Sequence, residues 1–265
     1  MNVPETFTGW VVFLLQQYGG VLLKGALVTL FLAITGTLVG CLIGLLVGAI
    51  QTIPEEETES AVSRAALKAL KKLLYAYVEV FRGTPMIVQA MVVYYGAMSI
   101  FNLDMSPLFA GFFVVSINTG AYMAETVRGG ILSVDPGQKE GAKAIGMTHL
   151  QTMLYVVLPQ ALRNIMPQIG NNLIINIKDT CVLSIIGTVE LFFTFKSISG
   201  ALYTYFEAAT VTLIIYFILT FTCSRILRAI ERKMDGPADY DLASTDTLEF
   251  TSGMTTYDAK SGRNL

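Results

Sequence analysis

Residues 21–50 run for thirty positions with a single charged side chain, Lys24. A hydrocarbon core about 30 Å thick is crossed by roughly 20 apolar residues in helical form. Four further apolar segments, at about 86–103, 107–127, 171–195 and 206–228, approach the same length. Backbone polar groups in lipid must be satisfied within the segment, so such runs fold as helices. Charged residues make up only 14% of the chain, against about 25% in a soluble domain. The reading is an all-α polytopic membrane protein with five core transmembrane helices.

The flanks set boundaries. Residues 7–15, with Trp10, are too short to span and read as an interfacial helix, so 1–20 form an N-terminal segment before a transmembrane unit at 21–233. The first basic residue is Lys24, which removes the charged flank of a secretory signal; the first apolar stretch is expected to be retained. Pro85 is placed in the first turn of the second span, and Pro107 opens the third. Residues 234–265 are rich in Asp, Ser, Thr and Gly without apolar periodicity, and read as a disordered tail.

Basic residues orient the spans. Arg64, Lys68, Lys71, Lys72 and Arg82 lie before the second span, and Arg128, Lys139, Lys143 and Arg163 lie in the loop at 128–170. The turn at 102–106 has none. The positive-inside rule puts the two basic loops and the C-terminus in the cytoplasm and the N-terminus outside. The Lys68–Lys72 cluster then reads as an anchor for anionic membrane lipid.

Within the first span Gly36, Gly40, Gly44 and Gly48 recur every fourth residue, a stripe along one face that lets another backbone approach. Buried polar groups in a membrane are costly and point to function. Asn118, Tyr122 and Glu125 share a face of the third span. Asn172, Asn176, Asp179 and Glu190 fall in one sector of the fourth region, treated as one helix, with Lys178 about a quarter-turn away. These faces hold acceptors for an ammonium and donors for a carboxylate, as a zwitterion needs. They could equally tie helices together or meet water near the boundary, Glu125 and Lys178 especially, or relay protons in an ion-coupled secondary transporter.

Several chemistries are excluded. There is no Gly-x-x-x-x-Gly-Lys-Ser/Thr phosphate loop, metalloprotease motif, nucleophile elbow or basic–aromatic nucleic-acid pattern. Cys41, Cys181 and Cys223 sit singly in apolar surroundings and His149 has no partner histidine, so no metal site and no catalytic group is expected.

In the loop at 128–170, Glu140 to Ile145 can form a short helix ended by Gly146, and residues 147–158 have apolar spacing near helical until Pro159 breaks or kinks the run. Glu140, Ala142, Gly146, Val156, Leu158 and Pro159 follow the spacing Glu-Ala-Ala, three residues, Gly, nine residues, aliphatic, one residue, Leu-Pro, with Gly141 where Ala is usual. The segment resembles the EAA signature of permease subunits of ATP-binding-cassette (ABC) importers. Arg82-Gly83-Thr84-Pro85 with Gln89, Ala121 to Gly130, Gly137-Gln138, and Lys178-Asp179-Thr180 (followed by Cys181 where Ser is usual) are similar to the polar amino-acid uptake branch.

The resemblance covers about residues 18–233 and implies the type I ABC importer permease fold with a cytoplasmic coupling helix. It implies a bacterial cell membrane location and ATPase coupling through Glu140, Gly141, Ala142, Ala144 and Gly146. It also implies two copies of a cytoplasmic ABC ATPase, which bind the ATP and Mg that this chain does not, a second permease copy or homologue, and an external solute-binding protein. The solute would be a polar amino acid passing Asn118, Tyr122, Glu125, Asn176, Lys178, Asp179 and Glu190.

Overall fold

A computed structural model describes residues 4–54 and 60–234; the acidic cluster at 55–59 and the tail from 235 lie outside the described residues. All regular structure among the described residues is helical. The order is α1 (Phe7–Gln51), α2 (Ala61–Gly83), α3 (Met86–Phe101), α4 (Pro107–Leu132), α5 (Pro136–Ala144), α6 (His149–Gln151), a π-helical turn (Thr152–Val157), α7 (Leu158–Asp179), a 3-10 stretch (Thr180–Ile186), α8 (Leu191–Leu202) and α9 (Tyr205–Met234).

Among the described residues three helices, α1, α4 and α9, are long and apolar enough to cross a membrane, and up to five spans result if each bent pair counts as one. The bent pairs are α2 with α3, at 112°, and the helix from His149 to Ile186 with α8, at 54°.

Residues 7–15 are not a separate interfacial helix. Phe7–Gln51 is one helix of 45 residues, about 68 Å at 1.5 Å per residue. Thr6 caps it by accepting from the Gly9 N–H at 3.2 Å. Leu14 and Leu22 are buried in the same cluster with Leu191, Phe195, Ile198, Ala208 and Val211, so tertiary packing on both sides of Gly19 and Gly20 holds the helix through them.

The most extensive helix contact is between α1 and α4. A Cβ built on Gly36, Gly40, Gly44 or Gly48 would lie 2.5 Å from Val115, 2.6 Å from Thr119, 2.3 Å from Met123 and 2.8 Å from Val127 respectively. Both series advance by four, so the two helices run parallel with α4 seated on the glycine stripe. The opposite face of α1 exposes Leu23, Leu27, Phe31, Leu38, Leu42 and Leu46, suited to lipid.

Two prolines act differently from the sequence expectation. Pro85 is the N-cap of α3 rather than a residue of its first turn, with extended backbone, and the chain turns there because the residue before a proline avoids the helical region. Pro159 breaks nothing: the chain is helical from His149 to Ile186. Proline cannot donate to the preceding turn, and the wider π turn takes up the mismatch, with the Leu158 N–H reaching the Met153 carbonyl.

The fourth apolar region is also not one helix over 171–195. It begins at Leu158, tightens to 3-10 geometry after Asp179, and breaks at Gly187, where φ is +84°. Glu190 therefore does not share a helical face with Asn172, Asn176 and Asp179. It is the N-cap of α8.

Candidate functional site

The α2–α3 elbow is closed by one amide. Gln89 Nε2 lies 2.9 Å from the Phe81 carbonyl, 3.0 Å from the Thr84 carbonyl and 2.9 Å from Thr84 Oγ1. It thereby satisfies acceptors left over at the end of α2. Gln89 Oε1 accepts from Asn118 Nδ2 at 2.9 Å, and the same Nδ2 lies 3.2 Å from the Phe81 carbonyl. Gln89 and Asn118 thus lock α4 to the elbow.

A second buried junction is built on Asn176. Its Nδ2 donates to Thr37 Oγ1 at 2.8 Å and to Thr119 Oγ1 at 2.9 Å, tying α7 to α1 and α4 at once. Its neighbour one turn earlier, Asn172, donates to the Gln168 carbonyl at 3.1 Å.

Between these junctions lies a cavity of about 380 Å³, lined by Thr84, Pro85, Asn118, Tyr122, Gln168, Asn172, Asn176 and Asp179 among others. The cavity brings together Asn118, Tyr122, Asn176 and Asp179 from two helices distant in sequence. Among the described residues its lining offers four amide side chains, a phenol and one carboxyl group, and neither Lys nor Arg. Amides present both donors and acceptors, so this lining can meet each end of a small zwitterion.

The other three expected residues are elsewhere. Glu125 pairs with Arg82 and lies 4.0 Å from Arg128, all partly exposed; the Arg82 guanidinium sits 5.6 Å from the Tyr122 ring centre, just beside the cavity. Lys178 lines a different, apolar groove with Phe192, Phe195 and Tyr216. Glu190 is fully buried, with its carboxyl oxygens accepting from the Phe192 and Phe193 N–H groups, both at 2.7 Å, and from the Tyr216 hydroxyl at 3.1 Å.

Glu190 thus starts a helix and anchors α9 to it. Replacing it with Ala is expected to remove the cap, about 0.5–2 kcal/mol, and take away the carboxylate partner of the Tyr216 hydroxyl, about 1–3 kcal/mol more. Glu190→Gln keeps an acceptor and should lose less than half as much. Melting of the solubilised chain checks this; equal melting temperatures for all three proteins would show that the cap contributes nothing.

The segment after α4 is a bent lever. Asp135 Oδ1 caps α5 by accepting from the Gly137 N–H at 2.7 Å. At its far end Gly146 takes φ +83°; its N–H reaches the Lys143 carbonyl at 2.9 Å, and the Met147 N–H reaches the Ala142 carbonyl at 3.1 Å. This is the two-bond helix stop that glycine favours. Thr148 and Gln151 then exchange bonds in a capping box that starts the next helix. Ala142 is buried, while Glu140, Gly141, Ala144 and Gly146 are exposed. Ile145 and Leu150 are 78% and 66% exposed beside them, an apolar pair that the sequence spacing does not single out.

Gln89, which the sequence reading names only within the Arg82–Gln89 match, and Thr37 and Thr119, which it does not name, are further junction positions. The signal for the first lies in its spacing from Pro85; the two threonines carry none, since each acts only through a partner on another helix. No group of His, Cys, Asp or Glu among the described residues could hold a metal ion.

Fold and cavity together define a polytopic membrane protein with a polar chamber between its helices. The chain belongs to the family of binding-protein-dependent transport system inner membrane components, whose model matches residues 60–236. It is 40% identical over 159 residues to the glutamine transport system permease protein GlnP of Escherichia coli K12, covering 60% of this chain and 73% of that protein. It is 35% identical over 158 residues to the arginine transport system permease protein ArtQ of Bacillus subtilis 168, covering 60% and 72%. A crystal structure of an amino acid ABC transporter with histidines superposes with a TM-score of 0.74 at 34% identity, over 87% of this chain and all of that one. The MetNI methionine ABC transporter, in an inward-facing form, shares the fold at a TM-score of 0.63 and 23% identity.

Proposed function

We propose that this chain is the permease subunit of an ATP-driven importer of polar amino acids. The observation that carries the reading is the amide-lined cavity with Asp179, set between α4 and α7 in a member of this transport family. Asp179 takes the substrate ammonium together with the Asn118 amide oxygen, and the amide donors of Asn172 and Gln168 face its carboxylate. Relatives named for glutamine and arginine transport support a neutral or cationic side chain.

The lever from Pro136 to Gln151 is the coupling element. A cytoplasmic ATPase grips Glu140, Gly141, Ala144 and Gly146, with Ile145 and Leu150 as its apolar footing. ATP and Mg belong to that ATPase, present in two copies, and this chain has no cofactor of its own. A second permease copy or homologue completes the conduit, and an external binding protein delivers the solute. The chain sits in a bacterial inner membrane, lever and C-terminus cytoplasmic and N-terminus outside, with lipid around α1 and α9 and no nucleic-acid partner. Membership of a binding-protein-dependent family favours this over an ion-coupled secondary transporter.

The test is ATP-dependent uptake into vesicles carrying the assembled complex, competed with arginine, histidine, glutamine, glutamate and cystine. Arginine, histidine or glutamine should compete and glutamate should not. Asp179→Asn should weaken apparent substrate affinity about tenfold, the loss of one charge-assisted contact. Uptake that runs without ATP, or is indifferent to all five competitors, removes the assignment.

A further inference from the structure

At the lever end of the bundle, a cavity of about 220 Å³ lies between the end of α1, the end of α4 and the start of the lever. It is separate from the amide-lined chamber. Lys139, Lys143 and His149 line it together with Thr52 and Thr152, and among the described residues none of its lining is Asp or Glu. Apolar walls complete it, so charges inside interact more strongly than in open water.

Two features mark it as more than a solvated basic face. Thr152 is 4% exposed, and its Oγ1 is buried with no hydrogen-bond partner among the described residues. An unpaired buried hydroxyl costs about 1–3 kcal/mol, and a small rotation of Thr152 toward the cavity would let a bound acceptor relieve that cost. Lys139 Nζ, one of three donors on its ammonium, reaches the Ile131 carbonyl only at 3.4 Å. A water occupies about 30 Å³, so the cavity admits a compact anion with part of its hydration shell.

We propose that this cavity binds a single phosphate-bearing anion, held by Lys139, Lys143 and His149 with the Thr152 hydroxyl donating to it. The group comes from free phosphate or from the headgroup of an anionic lipid. Because Lys139 and Lys143 sit on α5 while Thr152 sits on the helix after the turn, the anion clamps the two arms of the lever.

The full-length chain in zwitterionic detergent is titrated with inorganic phosphate against chloride of equal ionic strength, following the melting temperature. In parallel it is reconstituted in phosphatidylcholine vesicles with and without phosphatidylglycerol, and retained lipid is read by native mass spectrometry. A free-phosphate site gives a saturating rise specific to phosphate. Its midpoint moves about tenfold, about 1.4 kcal/mol, in Lys139→Gln or Lys143→Gln, and about threefold in the near-isosteric Thr152→Val, the loss of one neutral hydrogen bond. A headgroup site instead gives phosphatidylglycerol retention that the same variants lose.

If neither signal appears, or neither responds to the substitutions, the proposal fails. It also fails if phosphate acts only after Glu55, Glu56, Glu57 and Glu59 are changed to Gln, since the chain's own carboxylates would then be the occupant. Both readouts are independent of transport, so either outcome leaves the importer assignment untouched.

Discussion

Gly44→Val is expected to abolish a stable, monodisperse protein, and Gly44→Ala to lower its melting temperature sharply. A Cβ at residue 44 would stand 2.3 Å from Met123 Cβ, 2.7 Å from the Met123 carbonyl carbon and 2.8 Å from the Ala124 nitrogen. Two of those atoms are backbone, and Met123 is fully buried, so nothing nearby can swing aside. Overpacking one methyl costs about 1–3 kcal/mol where side chains can yield; here α1 and α4 must separate. Separation also pulls Thr37 and Thr119 away from Asn176, so the polar junction fails with the packing seam. Gly19 and Gly20 lie on the same helix, and a Cβ added at either would meet nothing within 4 Å. Changing either to Ala should be neutral or raise stability by up to about 1 kcal/mol through helix propensity. Size-exclusion profiles and melting curves of the four variants decide it: a Gly44→Val protein as stable as Gly19→Ala would mean the seam is not close-packed.

That seam is legible in the sequence, because a period of four within an apolar run has one geometric meaning. The apolar spans and the glycine stop at Gly146 are legible for the same reason: each is a local rule. What fails to show is set by partners far along the chain. Asn176 meets Thr37 across 139 residues and Thr119 across 57, and nothing in an isolated threonine announces that. The break at Gly187 is hidden for a different reason. Residues 171–195 hold enough apolar positions between their polar ones to be drawn as one helix, and that assumption rotates Glu190 onto the wrong face. The structure puts it at a helix start, where its two oxygens answer backbone donors. Pro159 is the converse case, a strong local signal for a break that a π turn absorbs.

Gly146→Val is expected to leave the bundle assembled and to reduce substrate-stimulated ATP hydrolysis and uptake by more than tenfold. At φ +83° a side chain costs about 1–2 kcal/mol, and a β-branched one fits that region least well. The cheapest escape is to unwind the last turn of α5, losing the bonds from Gly146 to Lys143 and from Met147 to Ala142. The lever's arms then no longer hold a fixed angle, and a push delivered to α5 is not passed to the helix that begins at His149. The rest of the bundle has no reason to respond, since a Cβ at residue 146 meets nothing within 4 Å; the melting temperature should move by only a few degrees. Gly146→Asn separates the backbone cause from the loss of a small surface residue, because Asn tolerates the left-handed region and should retain most activity. Glu140→Lys tests the grip itself: it reverses an exposed charge on α5 without touching the turn, and should weaken ATPase retention while leaving the lever rigid. Full transport in the Gly146→Val protein, with its membrane insertion verified, would mean that this bend transmits no force, and the ATPase would have to act on the bundle by another route.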